Sequence, residues 1–535
     1  MNLKPRFLWP VVLALGWLLD FLFWKQAPGI NFALYALLCL AAGLYVITSG
    51  GVRPARRALW LAPLALFFAA VTLVRAEPLT RLLATGATLA LMALFAITYA
   101  KGSWVHFRAL DYVADSARLL ASVAVRPLFH AEELRTERKS RGETGRSPWP
   151  VVRGILLALP VLAVFAALLA SADLVFGQHL DEFIKLFNLE RLPEYLFRLA
   201  YILAAAYALA GVFLHAATQS AKSGQASEKP LGVGSFLGMT EAGIVMGSVA
   251  VLFAMFVLIQ FRYFFGGQAN ISAAGFTYSE YARRGFGELV AVALITLVLL
   301  MVLSSVTRRE SAAQRRTFSG LGALLVILVM VMLVSAYQRL LLYEEAYGFS
   351  RLRAYTHVFL VWIGLLLAAT AVLEVLKREL AFTFALVITA LGFAASLAFL
   401  NVDAFIVTHN VGRENTVHVG GSARETAELD AHSFVQLSDD GTPALVRAFL
   451  APETPAPVKT QLGVALSCIR YLREQREGAG SAPWQSFHLA RYSADQALSS
   501  LGEALEAYRV EEHDRTVLVT VPSGGQFTCR GDYVD

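Results

Sequence analysis

GLGALLVILVMVMLVSAYQRLLL, residues 320–342, is one of several long apolar runs in this chain. No charged residue lies between Arg316 and Arg339. About 20 helical residues span the hydrocarbon core of a bilayer, so this run predicts a transmembrane helix. The composition extends the prediction to the whole chain, since its 535 residues are 57% hydrophobic and only 16% charged. A soluble protein, in which about 25% of residues are charged, could not bury so much apolar surface in one core.

The apolar runs predict an all-α polytopic membrane protein with about eleven transmembrane helices and a small, mostly helical C-terminal soluble domain. The predicted spans are 7–24, 30–48, 59–74, 79–99, 151–176, 195–217, 240–264, 286–306, 320–342, 355–376 and 381–400. They divide the chain into a four-helix membrane region at 1–100, a basic cytoplasmic insertion at 101–150, a seven-helix membrane region at 151–400 and an extracytoplasmic tail at 401–535.

The basic residues are concentrated in every second loop, which predicts the direction in which the chain crosses the membrane. After Lys4 and Arg6, the basic stretches are 50–57, 101–146, 222–230, 307–316 and 377–379. The loops between them are mixed or acidic. The positive-inside rule places the basic loops and the N-terminus in the cytoplasm, and an odd number of helices then places the tail outside. The same rule explains the net charge of +6 by contact with a lipid bilayer, without a nucleic-acid partner.

Two segments are candidate contacts for a protein partner. The insertion begins with WVHFRALDYVADSARLLASVAVRPLF, whose apolar residues at helical spacing are compatible with a helix along the membrane surface. Its charged continuation at 130–146 is either a mobile, solvated linker or a docking site. The tail, 401–535, combines amphipathic helical patterns with one strand-and-turn pattern, RTVLVTVPSGG, and is the second candidate.

The predicted topology makes two of the three cysteines informative. Cys39 falls inside a predicted span, where cysteine usually acts as a small apolar side chain. Cys468 and Cys529 both fall in the tail, which lies in an oxidising compartment if it is extracytoplasmic. The pair is therefore a disulfide candidate, and the alternative is two unrelated thiols.

Ionisable and aromatic residues are concentrated near the predicted outer ends of the helices, most densely in RLLLYEEAYGFSRLRAYTH, residues 339–357. Ionised groups at membrane depth cost free energy unless they are paired or hydrated. Two explanations compete: salt bridges that fasten the outer loops and the tail, or a water-filled cavity that binds a ligand. Arginines outnumber acids in this stretch, so a ligand there would be anionic. The candidate ligand-binding residues are Asp173, Arg262, Tyr281, Arg284, Glu288, Arg339, Tyr343, Glu344, Tyr347, Arg351, Arg353 and Asp403.

Four stretches together resemble a known family. They are FRYFFGG followed by TYSEYARRGFGEL (261–289), YQRLLLYEEAYGFSRLRAYTHVFLVW (337–362), NVDAFIVTHNVGR (401–413) and LDAHSFVQLSDDGTPAL (429–445). The pattern, over roughly 155–445, is similar to a family of bacterial polytopic membrane proteins known only as the domain of unknown function four-one-seven-three, related to four-one-five-three. The resemblance implies a protein of the bacterial cytoplasmic membrane and supplies no catalytic residues.

The search for catalytic chemistry finds no established motif. There is no P-loop, zinc-protease, serine-hydrolase or kinase signature, and no catalytic, metal-binding or cofactor-binding residue is assigned. The Asp439–Asp440 pair in SDDGTP indicates a turn or a helix cap rather than a catalytic pair. These observations favour a role without catalysis.

Three classes of function remain open. The leading interpretation is a structural, sensing or signalling partner at the cell envelope. The first alternative is a transporter or a membrane protein that binds an anionic ligand. The second is an envelope enzyme that acts on a lipid-linked substrate, with phosphate contacts and a base drawn from Arg262, Arg284, Arg339, Arg353, Glu280 and Glu344.

Overall fold

The computed structural model describes residues 7–140, 149–173, 176, 191–224, 236–264, 286–376, 378, 381–420, 431–477, 483–513 and 516–529. Within these ranges the chain is mostly helical. The α-helices are α1 (Leu8–Phe23), α2 (Ile30–Ser49), α3 (Arg56–Leu59), α4 (Leu61–Val74), α5 (Pro78–Thr98), α6 (Ala109–Ser140), α7 (Trp149–Ala172), α8 (Leu192–Thr218), α9 (Met239–Phe264), α10 (Phe286–Val306), α11 (Ala312–Tyr347), α12 (Arg351–Val375), α13 (Phe382–Leu400), α14 (Val402–Gly420), α15 (Ala431–Val435), α16 (Thr442–Leu450), α17 (Ala456–Glu477) and α18 (Leu489–Ser499). The strands are β1 (Arg509–His513), β2 (Thr516–Thr520) and β3 (Gln526–Thr528).

Nine helices in the described part of the chain are long and apolar enough to cross a bilayer: α2, α3 together with α4, α5, and α8 to α13. The helix α1 and the part of α7 from Pro160 onward are also apolar but shorter. Large apolar side chains on the membrane-length helices face outward, and Val251, Leu258 and Ile295 are 69%, 70% and 66% exposed. Outward apolar surface of this extent is the arrangement expected of helices that contact lipid.

The membrane-length helices pack in two groups. The first centres on α4 and α5, where Phe68 and Tyr99 are fully buried. The second contains α9 to α12, with Met246 and Leu325 in its core. The helix α13 packs against both α12 and α5, and so connects the two groups.

The insertion after α5 forms the long helix α6, which packs against α8. A Cβ atom on Gly211 would lie 2.5 Å from the Cα of Val123, so glycine is what allows the two backbones to approach. The Tyr207 hydroxyl donates to the carbonyl of Ala124. Part of α6 is thus buried against a membrane-length helix, while Leu120, Leu128 and Phe129 remain exposed on it. The helix also continues to Ser140, into the charged stretch predicted to be either a solvated linker or a docking site.

The C-terminal segment, residues 402–529, has a core of its own. Its buried side chains include Phe434, Leu445, Leu462 and Val519, from helices and from the sheet. The sheet has the order β1-β2-β3 with both pairs antiparallel, and β2 lies in the predicted RTVLVTV stretch. A disulfide joins Cys468 of α17 to Cys529, next to β3. Cys39 is buried in α2 as a free thiol.

Candidate functional site

Loops from one end of the helix bundle contact the C-terminal segment. They are the α1–α2 loop, the α4–α5 turn, the α11–α12 turn and the α13–α14 turn. We call the charged centre of this contact the polar junction; it consists of residues 75–77, 351–355, 401–403 and 438–441. Described residues of three basic stretches meet at the other end, where Arg57 lies 2.9 Å from His106 and the ammonium of Lys101 donates to the carbonyl of Ser223.

A buried ion pair ties α12 to the C-terminal segment. Arg351 donates from Nε and Nη2 to the two carboxylate oxygens of Asp403, and both distances are 2.7 Å. The Asp403 carboxylate is fully buried and also accepts from the backbone N–H of Ser438. Two parallel N–H···O bonds orient the guanidinium as well as neutralising the acid. This arrangement fixes the start of α12 against the start of α14.

A second buried carboxylate, Asp440, binds the turn between α4 and α5. Its Oδ2 accepts from the backbone N–H groups of Ala76 and Glu77, at 2.6 and 2.9 Å. The guanidinium of Arg75 lies 3.8 Å from its other oxygen. The expectation of a local turn is met in part, since the N–H of Gly441 bonds to the carbonyl of Ser438. The carboxylate itself, however, accepts from the N–H groups of Glu77 and Ala76, which are 363 and 364 residues earlier in the chain.

Glu77 connects the α4–α5 turn to α12. It caps α5 by accepting from the N–H groups of Leu79 and Thr80, at 2.9 and 2.7 Å. It also accepts from the hydroxyl of Tyr355, one turn beyond Arg351. The carboxylates of Glu77, Asp403 and Asp440 each accept several hydrogen bonds from within the chain, so these three buried acids of the junction are internally satisfied.

Burial shifts the pKa of two groups in this contact. Desolvation raises the pKa of Asp440, and the N–H donors of Glu77 and Ala76 and the charge of Arg75 oppose this rise only in part. Desolvation lowers the pKa of His488, which is buried beside the polar junction, and the charges of Arg81 and Arg491 lower it further. The fold therefore favours the uncharged form of each group.

A backbone contact fastens the C-terminal segment to the α1–α2 loop. The N–H of Ile30 donates to the carbonyl of Phe487 at 2.9 Å, and the Ser486 hydroxyl donates to the side chain of Gln26 at 3.0 Å. A Cβ atom on Gly29 would lie 2.4 Å from the Phe487 oxygen, so only glycine permits this approach. The segment is thus held at the α1–α2 loop as well as at the polar junction.

Four of the predicted site residues form a cluster at the end of α11, next to the polar junction. Glu344 is buried and lies 2.5 Å from Nε2 of His357. The rings of Tyr343 and Tyr347 are 4.9 Å apart, and the guanidinium of Arg353 lies 4.3 Å above Tyr343. Arg353 also donates to the carbonyl of Gly348, where the chain turns.

Gly348 is required at this turn. Its φ of +74° is a backbone conformation that side chains other than glycine rarely adopt. A Cβ atom there would also lie 2.8 Å from the side-chain oxygen of Asn410, which binds the N–H of Phe349. The turn therefore packs tightly against α14.

The other predicted site residues are not brought into these clusters. Arg339 is half-buried on α11, while Asp173 and Glu288 are exposed at helix ends. The side chain of Arg262 and the residues Tyr281 and Arg284 lie outside the described part of the chain. Among the described residues, no group of three or more histidine, cysteine or acidic side chains could hold a metal ion.

Sequence reasoning assigned Asp440 only to a local turn or cap, and it missed the other residues that complete the polar junction: Arg75, Glu77, Tyr355 and Ser438. It also missed Arg198 of α8, which binds the buried Asp20 of α1 at the same end of the bundle. The signal available for Glu77 was the proline that follows it. Proline is common at the first position of a helix, so Pro78 places Glu77 at the cap position, where its carboxylate can accept from the N–H groups of the first turn.

The membrane-length helices and their outward apolar surface define a multi-pass α-helical integral membrane protein. The family model described as "Domain of unknown function (DUF4153)" matches residues 61–448, and the chain belongs to this family. The predicted resemblance is confirmed, and the matching model is the four-one-five-three member of the two related families. The match begins well before residue 155 and includes all four parts of the polar junction, but neither cysteine of the disulfide.

No curated protein matches the chain in a sequence comparison, and no solved structure matches it either.

Proposed function

We propose that the chain crosses the bacterial cytoplasmic membrane eleven times, with α1 and α7 added to the nine membrane-length helices. The N-terminus is cytoplasmic, and the C-terminal segment is an extracytoplasmic soluble domain. Two observations support this orientation. Described residues of three basic stretches meet at the end of the bundle opposite the C-terminal segment, which agrees with the positive-inside rule. The disulfide between Cys468 and Cys529 is typical of an oxidising compartment.

The proposed role is that of a structural or sensing partner at the cell envelope. The observation that carries this proposal is the internally satisfied polar junction. The buried acids Glu77, Asp403 and Asp440 are bound by groups of the chain itself, and together they join three helical turns to the C-terminal segment. Such a junction fastens the two parts, so a partner that binds the C-terminal segment is mechanically coupled to the transmembrane helices.

The orientation is tested by thiol labelling in intact cells. Glu453→Cys lies on an exposed surface of the C-terminal segment, and Arg53→Cys lies in the first basic stretch. Both are made in a Cys39→Ala chain and treated with a membrane-impermeant maleimide. We expect labelling of position 453 in intact cells and of position 53 only after lysis. The reverse pattern would place the C-terminal segment in the cytoplasm.

The partner role is tested by photocrosslinking. A crosslinking amino acid is placed at Glu474 of the C-terminal segment and, separately, at Thr136 of α6, both exposed. The expected result is a discrete protein adduct from position 474. If neither position gives an adduct with another protein, the partner role is rejected.

A cavity favours anionic-ligand binding as a second candidate function. It has a volume of about 610 Å³ and lies between the polar junction, α16 and α18. Arg75 and Arg447 supply positive charge to its wall. The two acids of the wall have partners within the chain, since Asp440 is bound by Arg75 and by the α4–α5 turn and Asp439 lies 3.1 Å from Arg473, so the charge of Arg447 is in excess. Arg447→Gln should abolish any rise in melting temperature that phosphate or citrate produces in the purified protein. No rise with either anion would count against this candidate.

A further inference from the structure

A second cavity lies at the end of the bundle opposite the polar junction, where α10 and α12 end and α11 begins. It has a volume of about 810 Å³. Three arginines, Arg309, Arg315 and Arg316, line it together with the hydroxyl-bearing residues Thr307 and Ser319. These groups all donate hydrogen bonds, and arginine matches the oxygens of a phosphate group in geometry as well as in charge.

The position of Arg309 is fixed by its neighbours. Its guanidinium lies 2.8 Å from the carboxylate of Glu374 and 4.6 Å from the ring of Phe318. It also donates to the carbonyl of Ser304 at 2.7 Å. The carboxylate of Glu374 is therefore neutralised within the wall of the cavity, and the charges of Arg315 and Arg316 remain in excess.

The wall of the cavity is apolar on the side of the helices. Gly320, Ala323 and Val375 line this part, on helices long and apolar enough to cross a bilayer. A Cβ atom on Gly320 would meet no atom within 4 Å, so the groove is open beside this residue. The cavity thus joins a positively charged region to an apolar groove at the end of membrane-length helices.

We infer that this cavity binds the headgroup of an anionic phospholipid, with its phosphate on Arg315 and Arg316 and the start of an acyl chain beside Gly320. A free inorganic anion needs only the arginines, whereas a phospholipid needs the open apolar groove as well. Basic pockets between transmembrane helices are the sites at which proteins hold anionic headgroups. The inference does not depend on the side of the membrane at which the C-terminal segment lies.

The experiment measures lipid retention on the purified full-length chain in detergent by native mass spectrometry. Phosphatidylglycerol and phosphatidylcholine are titrated separately. We expect preferential retention of phosphatidylglycerol. Arg315→Gln combined with Arg316→Gln should weaken it about 30-fold, since a basic residue near an anionic lipid contributes about fivefold in affinity. Gly320→Leu should weaken it without any change of charge, because its side chain fills the groove.

The matched control is Arg53→Gln combined with Arg56→Gln, which removes two exposed arginines from another basic stretch at the same end. Retention should be unchanged in this variant. If the control and the Arg315/Arg316 variant lose phosphatidylglycerol equally, general surface charge explains the retention and the proposed site is wrong. If Gly320→Leu retains phosphatidylglycerol as well as the unsubstituted chain does, no acyl chain binds beside Gly320. Displacement of the lipid by millimolar inorganic phosphate would identify a free-anion site instead. Melting temperatures in the same detergent with phosphatidylcholine added show whether each variant is folded.

Discussion

Arg351 and Asp403 are 52 residues apart and form a bidentate ion pair, with both N···O distances at 2.7 Å. The acid is fully buried, while the arginine side chain is 27% exposed. Removal of one partner from such a pair leaves a buried charge without compensation, which is far more costly than the net contribution of the intact pair. Loss of either partner should therefore weaken the contact between α12 and the C-terminal segment.

The first prediction concerns Arg351→Gln. We expect the free energy of unfolding in mixed micelles to fall by about 3 kcal/mol, at the lower end of the range for buried pairs because the arginine is partly exposed. Asp403→Asn and the double variant complete a double-mutant cycle, and the double variant should lose less than the sum of the single losses. Additive losses would show that the two residues do not act as a pair. Arg509→Gln is the control. It removes an exposed arginine at the start of β1, outside this contact, and should leave the free energy of unfolding nearly unchanged.

The second prediction separates the charge of Asp440 from its hydrogen bonds. Asp440→Ala leaves the N–H groups of Ala76 and Glu77 without their acceptor, and should cost about 2 kcal/mol. Asp440→Asn retains an acceptor oxygen and should cost less than half of this. Chemical unfolding of both variants is the measurement. Equal losses would indicate that the negative charge, rather than the capping of the turn, holds the contact together.

The contribution of Asp440 to the free energy of unfolding also depends on pH. Its pKa is raised in the folded state, so the folded chain binds a proton more tightly than the unfolded chain does. The contribution of this group to stability is therefore greatest at low pH and is lost as the pH rises through the raised pKa. When the free energy of unfolding is measured from pH 4 upward, the Asp440→Asn variant should lack this decrease with rising pH.

The third prediction has the opposite sign and concerns His488. Burial lowers its pKa below the usual value of 6.5, so the folded state favours the neutral imidazole. The associated stability is present above pH 6.5 and is lost as the pH falls below that value. Protease cleavage of the C-terminal segment should therefore be faster at pH 5.5 than at pH 7.5. His488→Gln should reduce the difference, whereas the exposed His409→Gln should leave it unchanged.

The fourth prediction concerns the disulfide. The bridge closes a loop with a sequence separation of 61, and loop-closure entropy makes it worth about 4 kcal/mol to the C-terminal segment. Cys468→Ala combined with Cys529→Ala should lower the midpoint of unfolding of this segment, and Cys39→Ala should not. Thiol counting in denaturant should find one reactive thiol without reductant and three after reduction. Three thiols without reductant would exclude the bridge in the isolated protein.

Local features of the amino-acid sequence were sufficient for the membrane class of this protein. A run such as 320–342 must be helical in lipid, since a bilayer offers no partner for unpaired backbone groups. The clustering of basic residues in alternate loops predicted which loops share one side, and Arg57, Lys101 and Ser223 lie at one end of the bundle. The strand in RTVLVTV was readable because alternation is a property of neighbouring residues.

The polar junction could not be derived in this way. Tyr355 meets Glu77 across 278 residues of sequence, and Asp440 meets the N–H of Glu77 across 363. Hydropathy and spacing describe a helix and its nearest neighbours along the chain, but contain no information about which distant turns pack against each other. Only the folded arrangement of α5, α12 and the C-terminal segment determines which turns meet. A buried carboxylate is tolerated only where packing brings hydrogen-bond donors to it from several directions.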